Sequence, residues 1–212
     1  MDSGLTLRNV TISKGDQCLL QVDHHISAGH VLTVMGPSGV GKSTLLSFIT
    51  GTLAPDFRAQ GRVLLDGEDI TDLPSHTRGV GILFQDDLLF PHLSVGANLA
   101  FGLAQGGGRQ ERLAKVAEAL KEIGLEGFAD RDPATLSGGQ KARVALMRML
   151  LSEPRALLLD EPFSRLDMAL RAQIRTMVFD RARARSLPVL MVTHDEEDAR
   201  AAGGSVITLG AE

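Results

Sequence analysis

Residues 36–44, GPSGVGKST, fit the pattern G-x-x-x-x-G-K-[ST] at every position and carry the strongest chemical signal in the sequence. They follow an apolar run at residues 31–35 and precede a helix-forming stretch at residues 43–49. In that setting the N–H groups of a glycine-rich turn and the positive end of the following helix surround a polyphosphate. This context disfavours a chance glycine-rich turn. We therefore predict that a nucleoside triphosphate is bound by Gly36, Pro37, Ser38, Gly39, Val40, Gly41, Lys42, Ser43 and Thr44.

Four charged or hydroxyl side chains are expected to carry the phosphate chemistry. Lys42 would reach the β- and γ-phosphates, and the Ser43 hydroxyl would ligate Mg²⁺. The run LLLDE at residues 157–161 predicts a strand buried on both faces, with Asp160 at the carboxyl end that faces the ligand crevice of an α/β sheet. Asp160 would hold Mg²⁺, and Glu161 lies where it could polarise an attacking water. On its own the run fits a strand followed by a solvated turn equally well, and its pairing with the phosphate loop favours the functional interpretation.

The run LSGGQ at residues 136–140 precedes a predicted helix and is a third candidate site. A serine and two glycines at a helix start form an anion site through exposed N–H groups and a hydroxyl. The same residues also make an ordinary helix N-cap. The full five-residue form, lying between the other two motifs, favours the anion site.

The elements that must position these motifs alternate between strands and helices, which predicts a mostly parallel α/β core. A hairpin is expected within residues 61–70, turning at Asp66-Gly67. Leu113, Val116 and Leu120 recur at helical spacing and are expected in the core. Further strands are expected at residues 5–10, 19–22, 31–35, 80–84, 156–160, 189–192 and 205–209, and further helices at about 42–50, 140–151 and 168–184, with a short acidic helix after residue 194.

We expect one domain over residues 1–212. Its nucleotide-binding core would comprise residues 1–85 and 140–212, and a helical insert at about residues 86–139 would carry the LSGGQ motif at its end.

Composition limits the classes of partner. The net charge of −4 over 212 residues gives no electrostatic footprint for nucleic acid. Cys18 is the single cysteine, so no internal disulfide can form and a reducing compartment is expected. The first residues resemble no signal peptide, and no apolar run approaches the roughly 20 residues that span a bilayer. If the protein works at a membrane, another chain is expected to supply the membrane part.

The combination of LSGGQ with GPSGVGKST, the DE pair at residues 160–161 and His194 resembles the motif set of ATP-binding cassette (ABC) ATPases, in the same order and over nearly the whole chain. GILFQD at residues 81–86, LFPHLSV at 89–95 and DEPFSRLD at 160–167 are similar to importer ATPases in particular, including those for thiamine, sulfate and iron. The resemblance implies a P-loop NTPase core with a mostly parallel sheet, an N-terminal antiparallel β subdomain and a helical insert.

The resemblance also implies roles for single residues. Gln85 would touch Mg²⁺ and the attacking water while sensing a membrane partner, and Glu161 would be the general base. His194 would hydrogen-bond the γ-phosphate, and Asp167 would lie at a subunit contact. Two ATP molecules would be sandwiched between two copies of the chain arranged head to tail. The γ-phosphate in each site would be contacted by the other copy through Ser137, Gly138 and Gly139, and Gln140 and Asp167 would also belong to the nucleotide site.

We therefore expect a Mg²⁺-dependent ATPase subunit of a bacterial ABC importer for a small solute. It would act as a homodimer, peripheral on the cytoplasmic face of the inner membrane, with integral-membrane permease subunits and, indirectly, a solute-binding protein. The alternatives are a soluble ABC ATPase without a transport role, a non-catalytic nucleotide-gated scaffold and an exporter subunit.

Three departures from the family pattern qualify the resemblance. The family stacks adenine on an aromatic residue in the first hairpin, but the corresponding place near Lys14 has none, and the chain lacks Tyr and Trp altogether. Arg165 stands where the family usually has Ala, while Ser164 and Asp167 are retained, so we expect an altered interface contact. The sequence ends just after the last predicted core strand, so we expect no C-terminal regulatory domain.

Overall fold

The computed structural model describes residues 3–37, 39–86, 88–104, 106–164 and 166–210. Within these ranges the chain forms the following elements. The strands are β1 (Gly4–Lys14), β2 (Gln17–Ser27), β3 (Val31–Met35), β4 (Phe57–Leu65), β5 (Glu68–Asp69), β6 (Val80–Leu83), β7 (Ala156–Asp160), β8 (Val189–Thr193) and β9 (Ser205–Thr208). The α-helices are α1 (Lys42–Thr50), α2 (Val95–Gly102), α3 (Arg109–Glu122), α4 (Gly138–Leu150), α5 (Met168–Ala184) and α6 (Glu196–Ala202).

The larger sheet is parallel throughout, in the order β6-β7-β8-β3-β9. Its central strands β3, β7 and β8 are buried over nearly their whole length, as expected of apolar strands covered on both faces. All five carboxyl ends therefore lie at one edge of the sheet. The predicted α/β fold is confirmed, and α5 and β3 have the bounds expected from the sequence.

The smaller sheet is antiparallel, in the order β2-β1-β4-β5. β1 buries Leu5, Leu7, Val10 and Ile12, and the three-residue step between Leu7 and Val10 marks a β-bulge at Asn9, whose φ is 48°. The predicted turn at Asp66-Gly67 is present, with φ of 51° and 84°. β4, however, begins at Phe57, four residues before the hairpin expected from the sequence, because it also pairs with the far end of β1.

The helices α2, α3 and α4 share an apolar cluster that includes Val116, Leu120 and Val144. The prediction that Leu113 belongs to the core is wrong, since its side chain is 59% exposed. α3 is amphipathic, and Leu113 lies at the edge of its apolar stripe, where it lines a groove with Ala97 and Ala100 of α2.

Helix α1 is held at its carboxyl end by a buried arginine. Gly51 ends the helix in the left-handed conformation, φ 75°. The Arg78 guanidinium donates to the carbonyls of Phe48 and Ile49 in the last turn, at 3.0 and 2.8 Å. These bonds satisfy carbonyls that have no partner within the helix. These bonds fix the carboxyl end of the helix that follows the phosphate loop.

None of the helices within the described ranges has both the length and the apolar character needed to cross a bilayer.

Candidate active site

The phosphate loop joins β3 to α1 and uses glycine for its shape. Gly39 and Gly41 have φ of 85° and 102°, in the left-handed region that other residues rarely adopt. Gly41 is the N-cap of α1 and provides no side-chain cap, so the first N–H groups of the helix lack the hydroxyl or carboxylate partner found at most helix starts. They are therefore available to an anion. Ser38, also predicted to bind phosphate, lies outside the described residues.

The Lys42 ammonium lies over this loop. The side chain is 6% exposed, and Nζ donates to the carbonyl oxygens of Gly36 and Pro37 at 2.7 and 3.0 Å. Both acceptors are neutral, so neither bond cancels the positive charge. The loop thus combines a buried cation with the positive end of α1.

Ser43 and Asp160 meet although 117 residues separate them. The Ser43 hydroxyl donates to Asp160 Oδ1 at 3.1 Å. Burial raises the pKa of Asp160, and the nearby Glu161 charge adds to the rise, while the Ser43 hydrogen bond and the charge of Lys42 oppose it. A hydroxyl and a carboxylate beside a phosphate-binding loop are the hard oxygen donors that Mg²⁺ prefers, so this pair fits the ion.

Glu161 and His194 form a second pair. Glu161 Oε1 and His194 Nδ1 are 3.0 Å apart, with Glu161 17% exposed and His194 59% exposed. An ionised carboxylate can only accept a hydrogen bond, so Nδ1 is the donor whenever Glu161 is charged. Glu161 adopts φ 45°, and its N–H donates to the carbonyl of Val192 at 3.0 Å.

The sheet register explains why these residues meet. Asp160, the last residue of β7, pairs with Val192 on β8, and Thr193 pairs with Met35, the last residue of β3. The phosphate loop, Glu161 and His194 therefore leave three adjacent parallel strands at nearly the same level. This arrangement is the crevice that forms at the carboxyl ends of such a sheet.

Gln85 lies at the same edge but apart from these pairs. It follows the last residue of β6, Leu83, by two positions, and Leu83 pairs with Leu159 on β7. Its side chain is exposed, and no hydrogen bond among the described residues joins it to Asp160 or Glu161.

The LSGGQ motif forms the start of α4. Ser137 and Gln140 form a capping box: Ser137 Oγ accepts from the Gln140 N–H at 3.3 Å, and Gln140 Oε1 accepts from the Ser137 N–H at 2.9 Å. Gly138 faces open space, whereas a Cβ on Gly139 would collide with the Leu170 side chain. In the present packing of α4 against α5, Gly139 leaves room for the Leu170 side chain, which a larger residue would displace.

Asp167 is the N-cap of α5, where its carboxylate accepts from the N–H of Leu170 at 3.0 Å. This cap gives Asp167 a structural role that does not depend on contact with another subunit. Arg165, the neighbouring departure from the family pattern, lies outside the described residues.

One cavity of about 390 Å³ brings part of the site together. It is lined by Lys42, Ser43, Thr44, Gly39, Gly41 and Glu161, and also by Lys14, Leu19 and Phe57. The described residues of the LSGGQ motif do not line it. Sequence reasoning did not select Lys14 or Phe57, because their approach depends on the pairing of β1 with β4.

A second unexpected feature lies just beyond His194. The sequence predicts a short acidic helix there, without a partner for its carboxylates, but Asp198 is 1% exposed and accepts from Arg171 Nε at 2.9 Å and Arg175 Nη1 at 3.2 Å. Arg171 also pairs with Asp195 at 2.7 Å. The spacing of Arg171 and Arg175 indicates one charged face of the predicted helix. It does not indicate that this face pairs with a buried carboxylate.

Comparison with known proteins agrees with this geometry. Residues 19–164, more than half of the chain, match the model of the ABC transporter family. The chain is 50% identical, over 93% of its length and 91% of the relative's, to the uncharacterized ABC transporter ATP-binding protein YnjD of Escherichia coli. It is 44% identical to the Fe(3+) ions import ATP-binding protein FbpC of Mesorhizobium japonicum, over 85% of this chain but only 50% of that relative, so the chain spans about half of FbpC.

Among solved structures, the dimeric structure of MJ0796, a bacterial ABC transporter cassette, superposes with a TM-score of 0.80 at 32% identity and covers 97% of this chain and 94% of that one. Fold, motif order and sequence identity therefore agree. The chain belongs to the ATP-binding subunits of ABC transporters, a family of ATPases.

Proposed function

We propose that this chain hydrolyses Mg²⁺-ATP in the cavity beside its phosphate loop and so powers import of a small solute by a membrane complex. The observation that carries the proposal is the pairing of Glu161 with His194, 3.0 Å apart, where Glu161 lines the same cavity as Lys42 and Ser43. A carboxylate poised beside a phosphate-binding loop is what activation of water requires.

Binding begins at the loop. The free N–H groups at the start of α1 receive phosphate oxygens, and Lys42 exchanges its two carbonyl partners for the β- and γ-phosphates. The gain is large because the ammonium is already positioned and largely shielded from water.

Ser43 and Asp160 would hold the magnesium ion, with Gln85 completing its surroundings. When bound, the ion neutralises charge on the phosphate oxygens. Asp160 must be ionised for this role, although burial favours its protonated form.

Hydrolysis then depends on Glu161 and His194. Glu161 accepts a proton as the water oxygen attacks the γ-phosphorus, and the bond to the bridging oxygen breaks to give ADP and phosphate. His194 donates to Glu161 through Nδ1, which fixes the orientation of both side chains. Nε2 is then the ring atom that binds the γ-phosphate when it carries a proton.

The second copy of the chain would complete each site. One loop covers only part of the γ-phosphate, and the LSGGQ residues do not line the cavity of their own chain among the described residues. Gly138 is exposed with open space around it, so the amino end of α4 is accessible to a nucleotide on another copy. Ser137, Gly139, Gln140 and Asp167 would support this contact through the caps and packing described above. A similar cassette of known structure, MJ0796, is dimeric.

A membrane partner would dock beside Gln85. Phe84, Leu88 and Phe101 are 44%, 55% and 67% exposed and line one groove, a concentration of exposed apolar side chains that favours a protein contact. A permease bound there on the cytoplasmic face of an inner membrane would touch the chain next to the residue predicted to sense it. We expect residues 86–139 to move as a helical subdomain in response.

Phosphate release tests the hydrolytic mechanism. Glu161→Gln should retain ATP binding and lose about 10²–10⁴-fold in turnover, the usual contribution of a general base. Glu153→Gln is a matched control, because Glu153 also has a left-handed backbone, φ 51°, but is exposed and outside the cavity. Unchanged turnover in Glu161→Gln would refute the assignment.

Co-purification tests the transport role. Tagged Glu161→Gln with ATP and Mg²⁺ should recover an integral-membrane protein from solubilised native membranes. Adding Phe101→Asp should abolish recovery while leaving ATP binding intact, since a buried carboxylate in the contact is unfavourable. Recovery of soluble partners alone would favour an ABC ATPase without a transport role.

A further inference from the structure

The cavity beside the phosphate loop has an aromatic wall in an unexpected place. The chain contains no Tyr and no Trp, so its eight Phe residues are its only large aromatic side chains. Phe57, the half-buried first residue of β4, lines this cavity together with Lys14 and Leu19. It follows the phosphate loop in the sequence and does not belong to the hairpin of β1 and β2.

A bulge turns Phe57 toward this cavity. Arg8 pairs with Arg62, but beyond Asn9 the register shifts by one, so that Lys14 pairs with Phe57. Without the shift Lys14 would face Asp56, since a one-residue slip moves every side chain of a strand to the other face. Gly61 permits the bulge, because a Cβ there would collide with the carbonyl oxygen of Asn9.

The cross-strand pair already holds a cation against the ring. Lys14 Nζ lies 5.5 Å from the centroid of Phe57, within the range of a cation–π contact. Lys14 is exposed and its chain is long, so the ammonium can leave the ring and add positive potential to a bound polyphosphate.

We propose that Phe57 is the platform on which the base of the bound nucleotide stacks. The inference rests on the proposed nucleotide site: the loop and Lys42 fix the phosphates, and Phe57 is the aromatic side chain among the described residues that line the remaining cavity. Every nucleobase has a flat π-face, and stacking on an aromatic ring is tolerant of base identity. Phe57 thus supplies from β4 the aromatic surface that the first hairpin lacks.

Affinity for two ligands separates base stacking from phosphate binding. Phe57→Leu keeps an apolar side chain against the core, on which Phe57 also packs, but removes the flat ring. ATP affinity should fall about 5- to 150-fold, the range found for base–aromatic stacking by alanine substitution. Affinity for inorganic tripolyphosphate should not change. Phe128→Leu is the matched control, because Phe128 is also half-buried, with a guanidinium 3.9 Å from its centroid, but lies outside the cavity.

Tryptophan fluorescence of Phe57→Trp provides an independent measurement, since the introduced indole would be the only one in the chain. ATP should quench the emission of this variant, whereas tripolyphosphate should not, and Phe128→Trp should respond to neither ligand. Equal losses for both ligands in Phe57→Leu, or emission of the Phe57→Trp variant that ATP leaves unchanged, would overturn the inference. Failure of the unmodified chain to bind either ligand would instead refute the nucleotide site itself.

Discussion

The backbone of Glu161 is held in a conformation that few glutamates adopt. Its φ of 45° lies in the left-handed region, which costs a non-glycine residue on the order of 1–3 kcal/mol. Its N–H donates to Val192, and its carbonyl accepts from the Ser164 hydroxyl at 3.0 Å. The surrounding structure therefore fixes this residue on both sides, and the carboxylate is directed to His194 before any ligand binds.

The ionised form of Asp160, which the proposed function needs, lowers the free energy of unfolding. Burial raises its pKa, so the folded chain holds the Asp160 proton more tightly than the unfolded chain does. Its contribution to stability is therefore fully present at low pH and is lost as the pH rises through the raised pKa. At neutral pH the ionised carboxylate consequently destabilises the nucleotide-free protein.

Asp160→Asn should therefore be more stable than the unmodified chain at pH 7 without nucleotide or Mg²⁺. Asparagine can still accept from Ser43 but carries no charge to bury. Urea unfolding across pH should show the difference shrinking as the pH falls, until it vanishes below about pH 4, where aspartate is also protonated in the unfolded chain.

Saturating Mg²⁺-ATP should reverse the order at pH 7, because ligand binding stabilises only the chain that retains its ligand site. A stability difference that does not vary with pH would contradict the raised pKa.

At the scale of elements, Arg171 joins the two segments that flank the site. It lies on α5, whose start is capped by Asp167, and it pairs with Asp195 and Asp198 on the segment that follows His194. The Asp198 hydrogen bond raises the pKa of Arg171 against the opposing effect of burial. The guanidinium therefore stays charged and fixes α6, and with it the position of His194.

Asp198→Asn should destabilise the fold by about 1–3 kcal/mol, because it weakens hydrogen bonds between a buried acceptor and two charged donors while Arg171 keeps Asp195. Glu196→Gln on the same helix is the control, because the Glu196–Arg200 pair is 81% and 75% exposed and such pairs contribute little. Chemical unfolding of both variants measures the difference. Equal, small effects would show that the Arg171 cluster does not hold α6.

The elements differ in how far the sequence predicted them. β3, β7 and β8 were predictable because a strand buried on both faces requires an unbroken apolar run, and their carboxyl ends then bring the motifs together. The position of Phe57 was not predictable from the sequence, because it depends on a long-range strand pairing and a bulge. A signal for that bulge exists in the three-residue step between Leu7 and Val10. The partners of Asp198 likewise depend on tertiary contacts that local patterns do not encode.

For the whole molecule, we expect each ATP site to be shared between two copies of the chain. The phosphate loop and Glu161 line one cavity, whereas the start of α4 presents Gly138 to open space away from it. In a two-fold dimer each site would therefore combine the loop of one copy with the LSGGQ residues of the other. The two halves of each site would therefore come from different chains, and a substitution in either half can be placed on a separate chain.

Lys42→Ala and Gly138→Arg should each abolish ATP hydrolysis, the first by removing the phosphate cation and the second by blocking the exposed start of α4. In a mixed dimer both lesions fall in one site, and the other site is intact. Phosphate release from an equal mixture should therefore recover to about one quarter of the unmodified rate, since statistical pairing gives that fraction of intact sites. The mixture would stay inactive if each chain used its own LSGGQ motif, because no chain would then carry an intact site.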